Sequence, residues 1–225
     1  MIVTDQISPK QFLQSEGIED WRLVGSDGAM AFFRTGSLAE AAKFVQAISA
    51  LPGADDARPD IDLRQDGVTV HMITFTKGHG GMRQAHVELA RRISAEARKL
   101  GIAADTKAIQ SLLIIPGAPD IAEVMPFWQA VLGYVPRPDS PSEDLIDPHG
   151  RGAGFWFEKM KEPRADGGGA IHICVWVPYE QAQARIAAAL AAGGHLVRDD
   201  FAPAWWTLAD AAGNECDVAT IQDRD

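Results

Sequence analysis

The chain has 225 residues, enough for one or two domains, and its 46% hydrophobic and 23% charged residues are those of a globular protein with a core. A formal net charge of −10 argues against a nucleic-acid partner, because a polyanionic surface repels phosphate backbones. There is no run of about 18 apolar residues to span a membrane; the start, MIVTDQISPKQF, lacks a basic segment followed by an apolar one; and two cysteines make no disulfide framework, so a reducing, cytoplasmic setting is expected.

Ser8-Pro9 predicts a helix start, with Ser8 as N-cap and Pro9 in the first turn. Residues 21–24 and 29–34 read as strands around the turn Gly25-Ser26-Asp27-Gly28. Ser37 caps a helix over 38–51, with Leu38, Ala42, Val45 and Ile48 on its apolar stripe. Residues 61–64 and 68–75 pair around Gln65-Asp66-Gly67. A long helix over about 82–100 carries Leu89, Ile93, Ala97 and Leu100 on one face. This order predicts a four-stranded antiparallel sheet with helices on one face. The small-residue stretch 100–108 sets the boundary, giving domains 1–103 and 104–225.

Several words in the first half carry a resemblance: Pro59-Asp-Ile-Asp-Leu-Arg64, Val68-Thr-Val70, Gly80-Gly81 and Leu89-Ala90. Over residues 7–100 the chain resembles the pterin-4a-carbinolamine dehydratases. That family places two histidines before the proline, a third after the strand threonine and an aspartate at the start of the last helix. Here the matching residues are Ala57, Arg58, Phe75 and His86. Dehydrating a carbinolamine needs groups that exchange protons near neutrality, which alanine, phenylalanine and arginine do not supply. Pterin turnover is therefore not expected, unless His71, His79 or His86 has taken over the lost duties.

The second half opens on an internal repeat. Ile109-Gln-Ser-Leu-Leu-Ile-Ile-Pro116 aligns with Ile171-His-Ile-Cys-Val-Trp-Val-Pro178, 62 residues on. Each run alternates as a strand and leads into a helix: 120–132, with Ile121, Val124, Met125, Trp128 and Leu132 on one stripe, and 179–192. Gly133 and Gly193-Gly194 end them. Further strands follow, with matching turns at Asp147-Pro-His-Gly150 and Asp210-Ala-Ala-Gly213.

With Phe127-Trp128, Leu132-Gly133, Gly154-Phe-Trp-Phe157, Ala170 to Val175 and Asp210 to Asn214, this duplication resembles the glyoxalase/bleomycin-resistance/dioxygenase group, the vicinal oxygen chelate superfamily. The resemblance covers about residues 107–222. It implies paired βαβββ modules in a half-open barrel, an α+β protein overall, and one small-molecule site that often holds a divalent metal ion. Carried over by position, the metal ligands are Gln110, Glu158, His172 and Asp217, with Glu158 and His172 as the catalytic pair. Alternation puts Trp156 beside Glu158, and Cys174 and Trp176 beside His172. Of Trp205 and Trp206 one should face the pocket, and Trp206 is taken with Trp156, Cys174 and Trp176 as the substrate-binding set. Both families imply a homodimer. Three functions follow: a lyase- or isomerase-type enzyme on a polar organic substrate, a carbinolamine dehydratase with relocated histidines, or a ligand-binding or dimerisation protein without turnover.

Overall fold

The computed structural model describes residues 5–25, 28–160, 171–209 and 215–224, excepting the side chains of 127, 130, 131, 171 and 172. The protein is a mixed α+β molecule with six helices and three sheets among the described residues. Among these helices none is long and apolar enough to cross a membrane. The chain divides into two compact units, residues 1–74, 79–109 and 224–225 in the first, 75–78 and 110–223 in the second.

The first unit runs β1 (Gln6–Ile7), α1 (Pro9–Leu13), β2 (Arg22–Leu23), β3 (Ala29–Arg34), α2 (Leu38–Ser49), α3 (Ala54–Ala57), β4 (Asp60–Arg64), β5 (Gly67–Met72), β6 (Thr74–Thr76, of which only Thr74 belongs to this unit), β7 (His79–Arg83), α4 (Gln84–Lys99) and β8 (Ala103–Ala104). Ser8 caps α1 in a capping box with Gln11, and Ser37 caps α2 by accepting from the Glu40 N–H. The main sheet has the order β2-β3-β5-β4, all antiparallel. The Asp66-Gly67 turn is held by shape. The Phe32 ring lies where a Cβ on Gly67 would be, so only glycine fits under that cross-strand ring.

A short fifth strand, β8, joins this sheet against β3, pairing Phe33 with Ala104 and Arg34 with Ala103. Asp105 then accepts from Arg34 at 2.6 and 2.8 Å. These bonds tie residues 103–105 to the first unit, which runs on to Ile109. The core joins Ala31, Phe33, Val70 and Met72 of the sheet to Phe44 and Ile48 of α2 and Leu89 and Ile93 of α4, all fully buried. Trp21 meets Phe33 edge-on at 6.3 Å, and Phe33 meets Phe44 at 5.1 Å. The inward face of α2 is Ala41, Phe44 and Ile48, while Leu38 is exposed. The aromatic contact between Phe44 and Phe33 rotates the helix away from the stripe expected from its aliphatic residues.

The second unit holds β9 (Ser111–Ala118), α5 (Ile121–Leu132), β10 (Val135–Pro136), β11 (Asp144–Ile146), β12 (Gly154–Trp156) and β13 (Glu158–Lys159). The series then repeats as β14 (Ile171–Trp176), α6 (Tyr179–Ala191), β15 (His195–Arg198), β16 (Trp205–Ala209) and β17 (Glu215–Ala219). Gly133 and Gly193 end the two helices with φ of 69° and 98°, left-handed conformations natural to glycine. The strand order is β10-β11-β12-β9-β14-β17-β16-β15, with β13 also on β9. Each module thus contributes one half, and the two copies meet where β9 and β14 run antiparallel at the centre. The series is open, with β10 at one edge and β15 at the other, so no barrel closes among the described strands.

Candidate functional site

Two apolar clusters fix which way each strand faces. Ile114, Leu145, Phe155 and Phe157 pack with Met125, Val124 and Ile121 of α5. Val175, Trp206, Leu208, Cys216 and Val218 pack with Ala182, Ile186 and Ala189 of α6. Because Ile114 pairs with Ile173 and Leu112 with Val175, both helices cover the same face of the sheet. The alternate residues line the helix-free face: Ser111, Leu113 and Ile115 on β9, Cys174 and Trp176 on β14, Asp217 and Ala219 on β17, Trp205 and Thr207 on β16. Although no described helix of the unit covers them, Ser111, Ile115, Cys174, Trp176, Asp217, Thr207 and Ala219 are all buried. Wide twisted sheets curl, and this burial fits the inner side of a curl.

Register sets these side chains in rows. Across the sheet, Arg198 pairs with Thr207, Thr207 with Asp217, Asp217 with Cys174 and Cys174 with Leu113. The next row joins Trp205 to Ala219, Ala219 to Trp176 and Trp176 to Ser111. Asp217 is 9% exposed, and its Oδ1 accepts from the Thr207 hydroxyl at 2.7 Å, with Thr207 itself 2% exposed. A charge-assisted bond this short orients the carboxylate and offsets part of the cost of burying it.

Of the expected residues, Cys174, Trp176 and Asp217 come together on this face. Trp206 does not; it belongs to the cluster beneath α6. Trp205 takes the helix-free face instead, because adjacent strand residues point to opposite sides and the Leu208–Val218 core claims Trp206. Trp156 and Glu158, which alternate with the core residues Phe155 and Phe157, are both exposed. Glu158 pairs opposite Gly117, toward the far end of β9. Gln110 is exposed, and its Oε1 accepts from Arg185 of α6 at 3.4 Å. It precedes Ser111, which pairs with Trp176, whereas residue 172 pairs with Ile115 at the opposite end of the same ladder. The His172 side chain lies outside the described residues, as do the turn 210–213 and residues 161–170.

A divalent ion requires its donors within roughly 2–2.6 Å of one point. Gln110 sits on the helix side, bonded to Arg185, and exposed Glu158 lies opposite Gly117 rather than in the row of Asp217. Among the described residues no three His, Cys, Asp or Glu side chains group in a way that could hold a metal ion. The side chain of His172, the fourth expected donor, lies outside the described residues. Thr207 and Arg198 are the polar residues that sequence reading missed. The Thr207-Asp217 pair could have been found only by knowing the β16–β17 register, which sets them opposite one another.

In the first unit the imidazoles are dispersed in role. His71 Nδ1 lies 4.0 Å from Asp60. His86 is fully buried, accepts the Arg83 N–H at Nδ1 at 3.1 Å and reaches Thr74 Oγ1 from Nε2 at 3.3 Å. Burial, reinforced by the Arg83 charge, lowers its pKa to about 4. The His79 Nε2 atom is buried without a hydrogen-bond partner.

Residues 113–219, within the second unit, match the family described as a glyoxalase-like domain. Among solved structures, the chain is similar to an NAD-dependent benzaldehyde dehydrogenase from Legionella pneumophila, at 14% identity over 48% of this chain and 97% of that one, with a TM-score of 0.34. It is also similar to a glyoxalase/bleomycin resistance protein/dioxygenase superfamily member from Vibrio splendidus 12B01, at 15% identity over 50% of this chain and 99% of the other, with a TM-score of 0.32. No curated protein matches the chain.

Proposed function

We propose that the second unit binds a small polar organic molecule on the helix-free face of its sheet and carries out a lyase- or isomerase-type proton transfer on it. The observation that carries this reading is the buried Asp217 carboxylate, oriented by Thr207 and flanked in register by Cys174. A carboxylate fixed in a water-poor hollow lined by tryptophan serves as an acceptor for a ligand O–H or N–H, and as a base toward an acidic carbon-bound proton. Cys174, buried beside it, contributes a small apolar surface.

The test is to incubate the full chain and its Asp217→Asn variant with a metabolite extract and follow the mixture by mass spectrometry. At least one metabolite should fall with the native protein and persist with the variant. If native and variant proteins leave identical extracts, and neither retains a small molecule in native mass spectrometry, the reading is wrong. A metabolite retained but unchanged would instead mark a binding protein.

The first unit, in this reading, does not dehydrate a pterin carbinolamine. A histidine with a pKa of about 4 and both nitrogens engaged is a poor acid near neutrality. Stopped-flow dehydration should run at the buffer rate, and a rate above buffer that His79→Ala abolishes would restore that activity to the unit.

A further inference from the structure

The two ends of the second unit's sheet are finished differently. At one end β10 is two residues long, and one of them is Pro136, which has no N–H to offer a further strand. At the other end β15 is four residues long, contains neither proline nor lysine, and is exposed throughout. As the outermost described strand it pairs on one side only, with β16. Its other side presents the row of backbone N–H and C=O groups that makes any sheet edge a template for another strand.

The helix side of this edge is apolar. Leu196 pairs with Leu208, a member of the cluster beneath α6, and so takes the helix side. Val197 is the extra residue of a bulge between Leu196 and Arg198. A bulge often shields an edge, but this one sets a valine on the rim rather than a charge. On α6, Leu190 stands one turn past the buried Ile186, on the stripe that covers the sheet. Leu190, Leu196 and Val197 are 40%, 44% and 47% exposed. The apolar stripe of the helix thus runs on past the last strand, as if one more strand belonged beneath it.

The segment is also complementary to itself. It reads His195-Leu-Val-Arg198 and is followed by Asp199-Asp200, all six exposed. Two copies laid antiparallel about a twofold between Val197 and Arg198 set each His195 opposite the other copy's Asp200. The same register sets each Val197 opposite the other copy's Arg198, whose methylene stem covers it. A parallel arrangement would set the two aspartates against themselves.

We propose that a second copy of this chain occupies the edge: β15 of two molecules pair antiparallel, joining the two sheets into one, with Leu190 and Leu196 of both copies at the seam. The pairing uses one patch twice, as a twofold dimer does. An edge of four residues buries less than a standard interface, so the dimer is a weak one that forms with rising concentration. It is independent of any ligand on the helix-free face.

Sedimentation velocity of the full chain from about 1 μM to about 1 mM tests the proposal. Val197→Lys, Asp200→Lys and, at the opposite edge, Val135→Lys are run beside it, each checked for an unchanged circular dichroism spectrum. The native chain should pass from monomer to dimer across this range. Val197→Lys sets a cation opposite Arg198, and Asp200→Lys sets one opposite His195. Each should weaken association about tenfold, because a twofold makes every substitution act twice. Val135→Lys should leave association unchanged. All three variants reduce the net negative charge, so a general relief of repulsion would instead strengthen the dimer. A native chain that stays monomeric throughout overturns the proposal. So does a dimer that Val197→Lys leaves intact, since the copies then join elsewhere, and so does equal weakening by Val135→Lys.

Discussion

His86 shows how far one side chain can depart from what its position suggests. A histidine in the first turn of a helix is ordinarily solvated, yet here both nitrogens are engaged and the ring is fully buried. The folded protein protonates it only near pH 4, whereas an unfolded imidazole protonates near 6.5. Above that higher value both states are neutral and nothing is lost. Between the two, the unfolded chain takes up a proton that the fold refuses. Stability therefore falls by about 3 kcal/mol as the pH drops through this window, then levels. Urea unfolding of the native chain and of His86→Gln at several pH values should show the difference between them shrinking across this window. A constant difference would mean that His86 does not carry the proton linkage. From sequence alone His86 was visible as a replaced aspartate and a candidate relocated histidine; its burial depends on Thr74 and Arg83 lying beside it, contacts that no spacing encodes.

Between β10 and β11 an ion cluster braces a hydrogen-bonded turn. Arg137 reaches Asp139 at 2.8 Å and Asp144 at 3.2 Å, and its guanidinium lies 5.1 Å over the Phe75 ring. Burial pushes the Asp144 carboxyl above its usual range even with this cation beside it. Arg137→Ala would leave two carboxylates without their cation, at a cost of roughly 3–5 kcal/mol. The loss should be smaller at pH 5 than at pH 8, because an isolated buried Asp144 escapes by protonating. Thermal melts at the two pH values check this, and equal losses would show that the arginine acts through packing alone. Elements were legible where local signals were strong. Ser8, Ser37 and Asp120 each accept a backbone N–H at the start of their predicted helices. The α2 stripe was misread because Phe44 outweighs Leu38, and β8 escaped notice because it carries no apolar pattern of its own.

At the scale of the molecule, the repeat was the most informative feature of the sequence. It foretold two strand–helix–strands modules, and the structure pairs their first strands at the centre of one sheet. It also suggested that equivalent positions 110 and 172 would meet, and there antiparallel pairing works against it. A twofold between two antiparallel strands carries equivalent residues to opposite ends of the ladder, except beside the axis. Residues near that axis, such as Leu113 and Cys174, are the ones brought together. The same sheet separates its two thiols. Cys216 packs beneath α6 while Cys174 looks out from the other side of the backbone. A disulfide requires Cβ atoms within about 4.5 Å and pointing toward one another. Oxidation consequently cannot staple this chain to itself while the sheet is intact, and any sulfur bridge it formed would join one molecule to a second.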